Sequence, residues 1–302
     1  MKRAIMKHWQ LYVFLLLPVV YLLVFHYYPM LGAQIAFKKY NVQFGIWGSE
    51  WVGLKNFAKF FSSYKFGSVV GNTIKLSIYS ILAGFPLPLA FALMLNVVRC
   101  KKYKKSIQTI TYMPHFISTV VIVGMIIQIA NPVNGIYGKA YSLLNHGNIP
   151  ADPLGSSSVF PHLYVWSGVW QSFGWDSIIY MAALASTSME LHEAAQLDGA
   201  TRFQRIRYVD FPSILPTATI MLILRAGSAM TIGFEKIFLM QNDLNLRASE
   251  VISTYIYKVS LRSSVPDYSY STAIALFNSV INLCLICTMN FFTRKIGETS
   301  LW

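Results

Sequence analysis

Six long apolar runs, at 11–37, 76–98, 107–129, 160–186, 213–234 and 272–292, constrain this chain more than any other feature. Each can supply the roughly 20 apolar residues that a bilayer core demands. Inside lipid every backbone N–H and C=O needs an internal partner, so runs of this kind are helices. A β-barrel would show alternation instead. Composition agrees: 12% of residues are charged, 55% are hydrophobic and the mean hydropathy is +0.47. The expected fold class is an all-α membrane protein, one domain over 1–302 with six transmembrane helices. No repeat, low-complexity tract or long linker divides it.

The first run follows Lys2, Arg3 and Lys7, as a signal peptide would. A cleaved signal has a short apolar core and a small-residue cleavage site. Here the uncharged stretch continues over 8–37, and Ala33-Gln34-Ile35-Ala36 is a poor cleavage site. An uncleaved helix is expected, bent at Pro18 and ending near Pro29.

The net charge of +13 does not indicate nucleic acid, because the basic residues are dispersed among the segments that flank the runs. Arg99, Lys101, Lys102, Lys104 and Lys105 crowd between the second and third runs, which places that loop in the cytoplasm by the positive-inside rule. Six crossings then put both termini inside, in keeping with Lys2, Arg3, Lys7, Arg294 and Lys295. Lys38, Lys39, Lys55, Lys59 and Lys65 go against the rule in the first outside loop. The external loops fall at about 40–71, 131–159 and 235–270. Leu54, Phe57 and Phe61 recur at helical spacing and predict a short amphipathic helix; 131–159 reads as irregular, and 249–259 can form a re-entrant or surface helix. Loops of this size suit contact with an external partner, or serve equally as connectors.

Enzyme chemistry finds no support. Cys284 and Cys287 have C-x-x-C spacing but lie within the sixth run, and they read with Cys100 as ordinary thiols. Gly138-Lys139 lacks the spacing of a phosphate-binding loop. Catalytic, metal and cofactor residues are therefore none, and energy must come from another chain.

Residues 193–212 read EAAQLDGATRFQRIRYVDFP. Good helix formers precede Gly199, which can end a helix at positive φ, and Pro212 suits the first turn of the next one. The pattern Glu193-Ala194-Ala195, Asp198-Gly199 and a terminal Phe211-Pro212 resembles the EAA signature of ABC importer permeases, with Val209 and Phe211 in place of the usual Ile and Leu. The resemblance implies that the loop at about 188–212 is cytoplasmic and docks an ATPase through Glu193, Ala194, Ala195, Asp198, Gly199 and Pro212.

Further strings resemble the oligosaccharide and polysaccharide branch of the maltose-permease superfamily. They are Tyr112-Met113-Pro114-His115-Phe116-Ile117-Ser118, Gly233-Phe234-Glu235-Lys236, Asp267-Tyr268-Ser269-Tyr270-Ser271-Thr272-Ala273 and Asn290-Phe291-Phe292-Thr293-Arg294-Lys295. The resemblance implies a MetI-like fold in a bacterial inner membrane. It also implies a second permease subunit, two ATP-binding subunits and an external solute-binding protein as partners, with sugar as cargo.

Two ionisable residues, Asp176 and Arg225, fall deep within the fourth and fifth runs, where a charge is costly. They can pair and tie the two helices, or line a substrate path; the readings are compatible, and path-lining is preferred. Trp166, Trp170 and Trp175 crowd the same helix beside Gln171 and Ser172. Aromatic faces stack on sugar C–H faces while amides and charges take hydroxyls. Belt anchoring at the interface suits Trp166 better than the deeper Trp170 and Trp175. In maltose-type relatives the helices flanking the EAA loop hold the sugar, which by position alone adds Ser228 and Ala229. Arg225 could hold a carboxylate bidentately, unless Asp176 neutralises it, so an acidic sugar is one option. The expected function is the permease of a binding-protein-dependent sugar importer. An ABC importer for a non-sugar solute is the alternative, followed by an ATP-independent carrier with Asp176 as a proton site.

Overall fold

The structure is a computed structural model that describes residues 9–296, so Lys2, Arg3 and Lys7 lie outside the described residues. In chain order the elements are α1 (Trp9–Phe37), a two-stranded antiparallel ribbon of β1 (Lys38–Lys39) and β2 (Glu50–Trp51), and α2 (Lys55–Phe61). Then come α3 (Lys65–Asn96), α4 (Lys101–Phe116), α5 (Thr119–Ala130), α6 (Ile136–Leu144), α7 (Phe160–Ala185) and α8 (Met189–Leu197). The chain continues through α9 (Arg202–Gly227), α10 (Phe234–Met240), α11 (Ile252–Tyr257) and α12 (Tyr268–Ile296). The ribbon departs from the all-α expectation, since strands of two residues have no periodicity to read.

Among the described residues four helices, α1, α3, α9 and α12, are long and apolar enough to cross a membrane, or five if the bent pair α4–α5 counts as one span. The expected run 160–186 is helical as α7, but Ser167, Gln171, Ser172 and Asp176 lower its hydropathy. The residues that make α7 interesting are those that make it less apolar.

The described residues divide into two compact units, up to residue 66 with 256–277, and 67–255 with those from 278 on. In the first, α1 does not end near Pro29. A π-turn spans Leu23–Tyr27, where the Tyr28 N–H reaches back to the Leu23 carbonyl. The wider turn accommodates the proline ring that an α-turn would reject. The helix α2 forms where expected, but its buried residue is Phe60, while Leu54 and Phe61 stay exposed. Phe60 meets Phe66, Tyr270 and Phe277 edge-on at ring distances of 5.0, 6.3 and 5.5 Å. Lys59 pairs with Asp267 at 2.7 Å.

In the second unit α7 is the central helix. It packs along α4, α9 and the Pro86–Asn96 half of α3. Its buried residues, among them Phe160, Val165, Gly174, Ser177 and Tyr180, point in several directions, as a helix surrounded by others requires. Gly174 permits the closest approach: a Cβ there would lie 2.3 Å from the Thr111 carbonyl oxygen of α4. Small residues let membrane helices meet backbone to backbone in this way.

Three sequence expectations change. The run 107–129 is not straight: α4 and α5 meet at 96°. Met113–Phe116 tighten into a 3₁₀ turn holding Pro114, Ile117 is extended, and Ser118 caps α5 by accepting from the Val121 N–H. The run 213–234 becomes α9, which starts earlier and stops at Gly227, leaving Ser228 and Ala229 in the turn that follows. The loop 131–159 contains a helix, α6.

Candidate functional site

The segment that resembles the EAA signature folds as a capped lever. Ser188 caps α8 by accepting from the Glu190 N–H at 3.1 Å, and Glu193, Ala194 and Ala195 lie within the helix. Asp198 ends it and Gly199 takes φ +76°. The Ala200 N–H then donates to the Ala195 carbonyl at 2.9 Å, and the Gly199 N–H to that of Gln196 at 3.1 Å. This is the Schellman pattern, which satisfies carbonyls that would otherwise be orphaned. One residue later Thr201 and Gln204 form a capping box that starts α9. Pro212 lies in the first turn of the α-helical segment Phe211–Gly227, as expected, but that segment is not a separate helix. A π-turn over Ile206–Asp210 precedes it, and the helix runs on through the proline to Gly227.

α8 buries none of its residues, and Met189, Leu191 and Leu197 are exposed, as is Phe203 beyond it. One polar link runs inward: His192 Nε2 lies 3.3 Å from Asp210 Oδ1, which also accepts from Asn96 Nδ2 at 3.1 Å. Asp210 is only 2% exposed, so this link ties α8 to α9 and to the end of α3. Arg99, Arg202 and Arg205 line a cavity of about 410 Å³ beside it.

The second feature is a cavity of about 240 Å³ among α3, α7, α9 and α10. Arg225 and Asp176 both line it and pair with each other, Nη2 to Oδ2, at 2.5 Å. They retain 27% and 30% side-chain exposure, so the pair is only partly buried. Gln171 lines it too, and its Nε2 donates to the Ile117 carbonyl at 3.1 Å, in the corner between α4 and α5. That corner also places the His115 ring flat on Trp175 at 4.5 Å and Phe116 edge-on at 5.4 Å. The Tyr112–Ser118 string thus acts structurally, bracing the polar middle of α7.

The other expected path residues do not line this cavity. Trp170 is half-exposed and Trp175 is stacked as described. Ser228 bonds back to the Leu224 and Arg225 carbonyls, and the Ala229 carbonyl accepts from Ser77 Oγ. Trp166 donates to Tyr79 Oη at 2.8 Å, and that oxygen also bonds His162 Nδ1 at 2.8 Å.

Sequence reasoning missed Lys236 as a site residue. It sits on α10, is only 9% exposed, lines the cavity and donates from Nζ to the Tyr164 carbonyl at 3.0 Å. It pairs with no carboxylate among the described residues, and its neighbour Glu235 is exposed. Burial lowers its ammonium to about 8, because the charged form loses hydration. Two glycines make room for the cations. A Cβ at Gly84 would lie 3.1 Å from Arg225 Nη1, and one at Gly168 would lie 3.3 Å from Lys236 Nζ.

Long helices apolar enough to cross a membrane, two of which line a charged cavity, with an exposed helix joining the two that hold the central ion pair, are the features of a membrane permease. The chain belongs to the family of binding-protein-dependent transport system inner membrane components, whose model matches residues 84–298. It is 38% identical over 292 residues to Protein LplB of Bacillus subtilis, covering 97% of this chain and 91% of that one. It is 34% identical over 304 residues to the polygalacturonan/rhamnogalacturonan transport system permease protein YteP of Bacillus subtilis, covering 100% and 94%. Among solved structures it superposes with a TM-score of 0.89, at 37% identity and 99% coverage of both chains, on a chain of a bacterial alginate ABC transporter in complex with an alginate pentasaccharide-bound periplasmic protein.

Proposed function

We propose that this chain is one of two permease subunits of a bacterial ABC importer that takes oligosaccharides, uronic-acid chains among them, from an external solute-binding protein. Two ATPase subunits drive it from the cytoplasm. The observation that carries the reading is an arrangement within one stretch of chain: α8 joins α7 to α9, the helices that hold Asp176 and Arg225 in the cavity wall. Relatives that transport polygalacturonan, rhamnogalacturonan and alginate support a saccharide cargo.

In this reading α8 docks on an ATPase through Glu193, Ala194, Ala195 and the exposed Met189, Leu191 and Leu197. Closure of the ATPases pushes α8 sideways. The Schellman turn at Gly199 keeps the lever stiff, and the His192–Asp210–Asn96 link carries the displacement to α9 and α3. The cavity lined by Gln171, Asp176 and Arg225 then changes the side to which it opens. Substrate is passed on because its affinity differs between the two states, with no covalent step. The six crossings are α1, α3, α4–α5, α7, α9 and α12, with both ends of the chain in the cytoplasm.

Two measurements test this. In proteoliposomes holding the assembled transporter, oligosaccharide uptake requires both ATP and the binding protein; uptake without ATP would mark a secondary carrier and overturn the assignment. For topology, a cysteine replacing Lys102 is labelled by an impermeant thiol reagent only from the cytoplasmic side, and one replacing Ser156 only from outside. The reverse pattern would take α8 out of reach of an ATPase.

A further inference from the structure

A second cavity, of about 430 Å³, is lined by Lys75 and Arg247 together with Asn72, Tyr79 and Pro161. It follows the same stripe of helix as the cavity around Lys236. On α3, Asn72, Leu76, Ser80 and Gly84 recur at four-residue intervals, the first two lining this cavity and the last two the inner one. On α7, Pro161 lines this cavity, and Val165, Gly168, Ser172 and Asp176 line the inner one. Residues at such spacing share one face of a helix. From Pro161 to Asp176 the helix rises about 22 Å at 1.5 Å per residue. Cations mark both levels: Lys75 and Arg247 in this cavity, then Lys236 against Gly168. Among the described residues none of the three pairs with a carboxylate. Arg225, at the far level, is the one that does.

We propose that Lys75, Arg247 and Lys236 are successive carboxylate subsites along the groove between α3 and α7, and that they select uronic-acid oligosaccharides over neutral ones. The proposal deepens the carbohydrate-importer reading and rests on it. An acidic chain carries carboxylates at regular intervals, so a row of cations can hold one ring while releasing the previous one. A neutral chain gains nothing from an unpaired ammonium and has to displace its hydration. Lys75 and Arg247, exposed in the wider cavity, receive the chain. Lys236 is buried, and an anion replaces the hydration it has lost, so it discriminates more strongly. Asp176 balances the charge of Arg225, and the row therefore ends at the ion pair instead of trapping the anion there.

The test uses the complete transporter with its partner permease, ATPases and binding protein in proteoliposomes. The probes are an oligogalacturonate and the same chain with its carboxyls reduced to alcohols. Binding of each to the complex in nanodiscs is measured without the binding protein, which removes that protein's own selectivity. Lys236→Met lowers oligogalacturonate affinity and uptake at least tenfold and leaves the reduced chain within twofold. Lys236→Arg retains both. The pair Lys75→Gln with Arg247→Gln raises the KM for oligogalacturonate about tenfold and leaves the maximal rate unchanged. Equal losses for the acidic and reduced chains, or no loss for either, overturn the proposal. If Lys236→Met does not assemble, the exposed Lys75 and Arg247 variants decide by the same ratio. A wild-type transporter that takes up neither chain sinks the carbohydrate reading itself, an outcome distinct from a failure of the row.

Discussion

Gly199→Val abolishes ATP-driven uptake, by more than tenfold, while insertion and yield of the transporter stay near normal. The position has φ +76°, and a Cβ there would meet nothing within 4 Å. The penalty is therefore backbone strain alone, about 2 kcal/mol for a β-branched residue held in the left-handed region. Strain of that size shifts a local equilibrium by up to about thirtyfold, enough to unwind a single turn but not a membrane bundle. The Ala200 to Ala195 and Gly199 to Gln196 bonds are lost, and α8 no longer transmits a push. Gly199→Asn is the control, because Asn tolerates the left-handed region and retains most of the activity. Uptake and ATPase stimulation of Gly199→Val are measured side by side; wild-type coupling in that variant would remove α8 from the mechanism.

The second large effect concerns the central ion pair. Asp176→Asn leaves the Arg225 guanidinium without its partner between α7 and α9, and assembly falls severalfold. The cost is about 2 kcal/mol, less than the roughly 3–5 kcal/mol of a fully buried pair, because both groups are only partly buried. Asp176→Asn with Arg225→Gln recovers assembly, since two amides can bond to each other. Uptake by the double variant returns to within a few-fold of wild type, with the ratio of acidic to neutral chain unchanged. The yield of folded transporter and that ratio are the readouts. A selective loss of the acidic chain in the double variant would make Arg225 itself a substrate contact and move the selectivity away from Lys236.

The local structure of residues 188–200 was largely legible in the sequence because its determinants are local. Helix formers and the positive-φ glycine act within a few residues of one another, and the structure realises both, adding a Thr201–Gln204 capping box that the sequence reading did not name. Pro212 was read less well. Its position after a helix start looked natural, whereas the π-turn that carries the helix through it depends on how five preceding carbonyls are shared. The corner at Ile117 was hidden for a related reason. Hydropathy continues smoothly from 107 to 129, and only Pro114 and Ser118 hint that the helix turns there.

The pairing of Asp176 with Arg225 was one of two readings open to the sequence. Depth in two neighbouring runs brought them to similar height, but rotation about each helix axis decides whether they meet, and periodicity does not set rotation. Lys236 was legible only as part of a family string. Next to Glu235 in a segment read as an external loop, it looked like an ordinary solvated lysine. Its burial comes from partners far along the chain, the Tyr164 carbonyl and the space left by Gly168.

The sequence alone thus determined the class of molecule, the approximate place of most helices and the turn at Gly199, since bilayer thickness, backbone hydrogen bonding and helix capping act on contiguous residues. Tertiary structure alone decided which of these charges pair with a carboxylate and which, among the described residues, do not. That depends on the rotation of α3, α7, α9 and α10 about their axes and on two glycines that let cations approach, neither of which is encoded in any single stretch of chain.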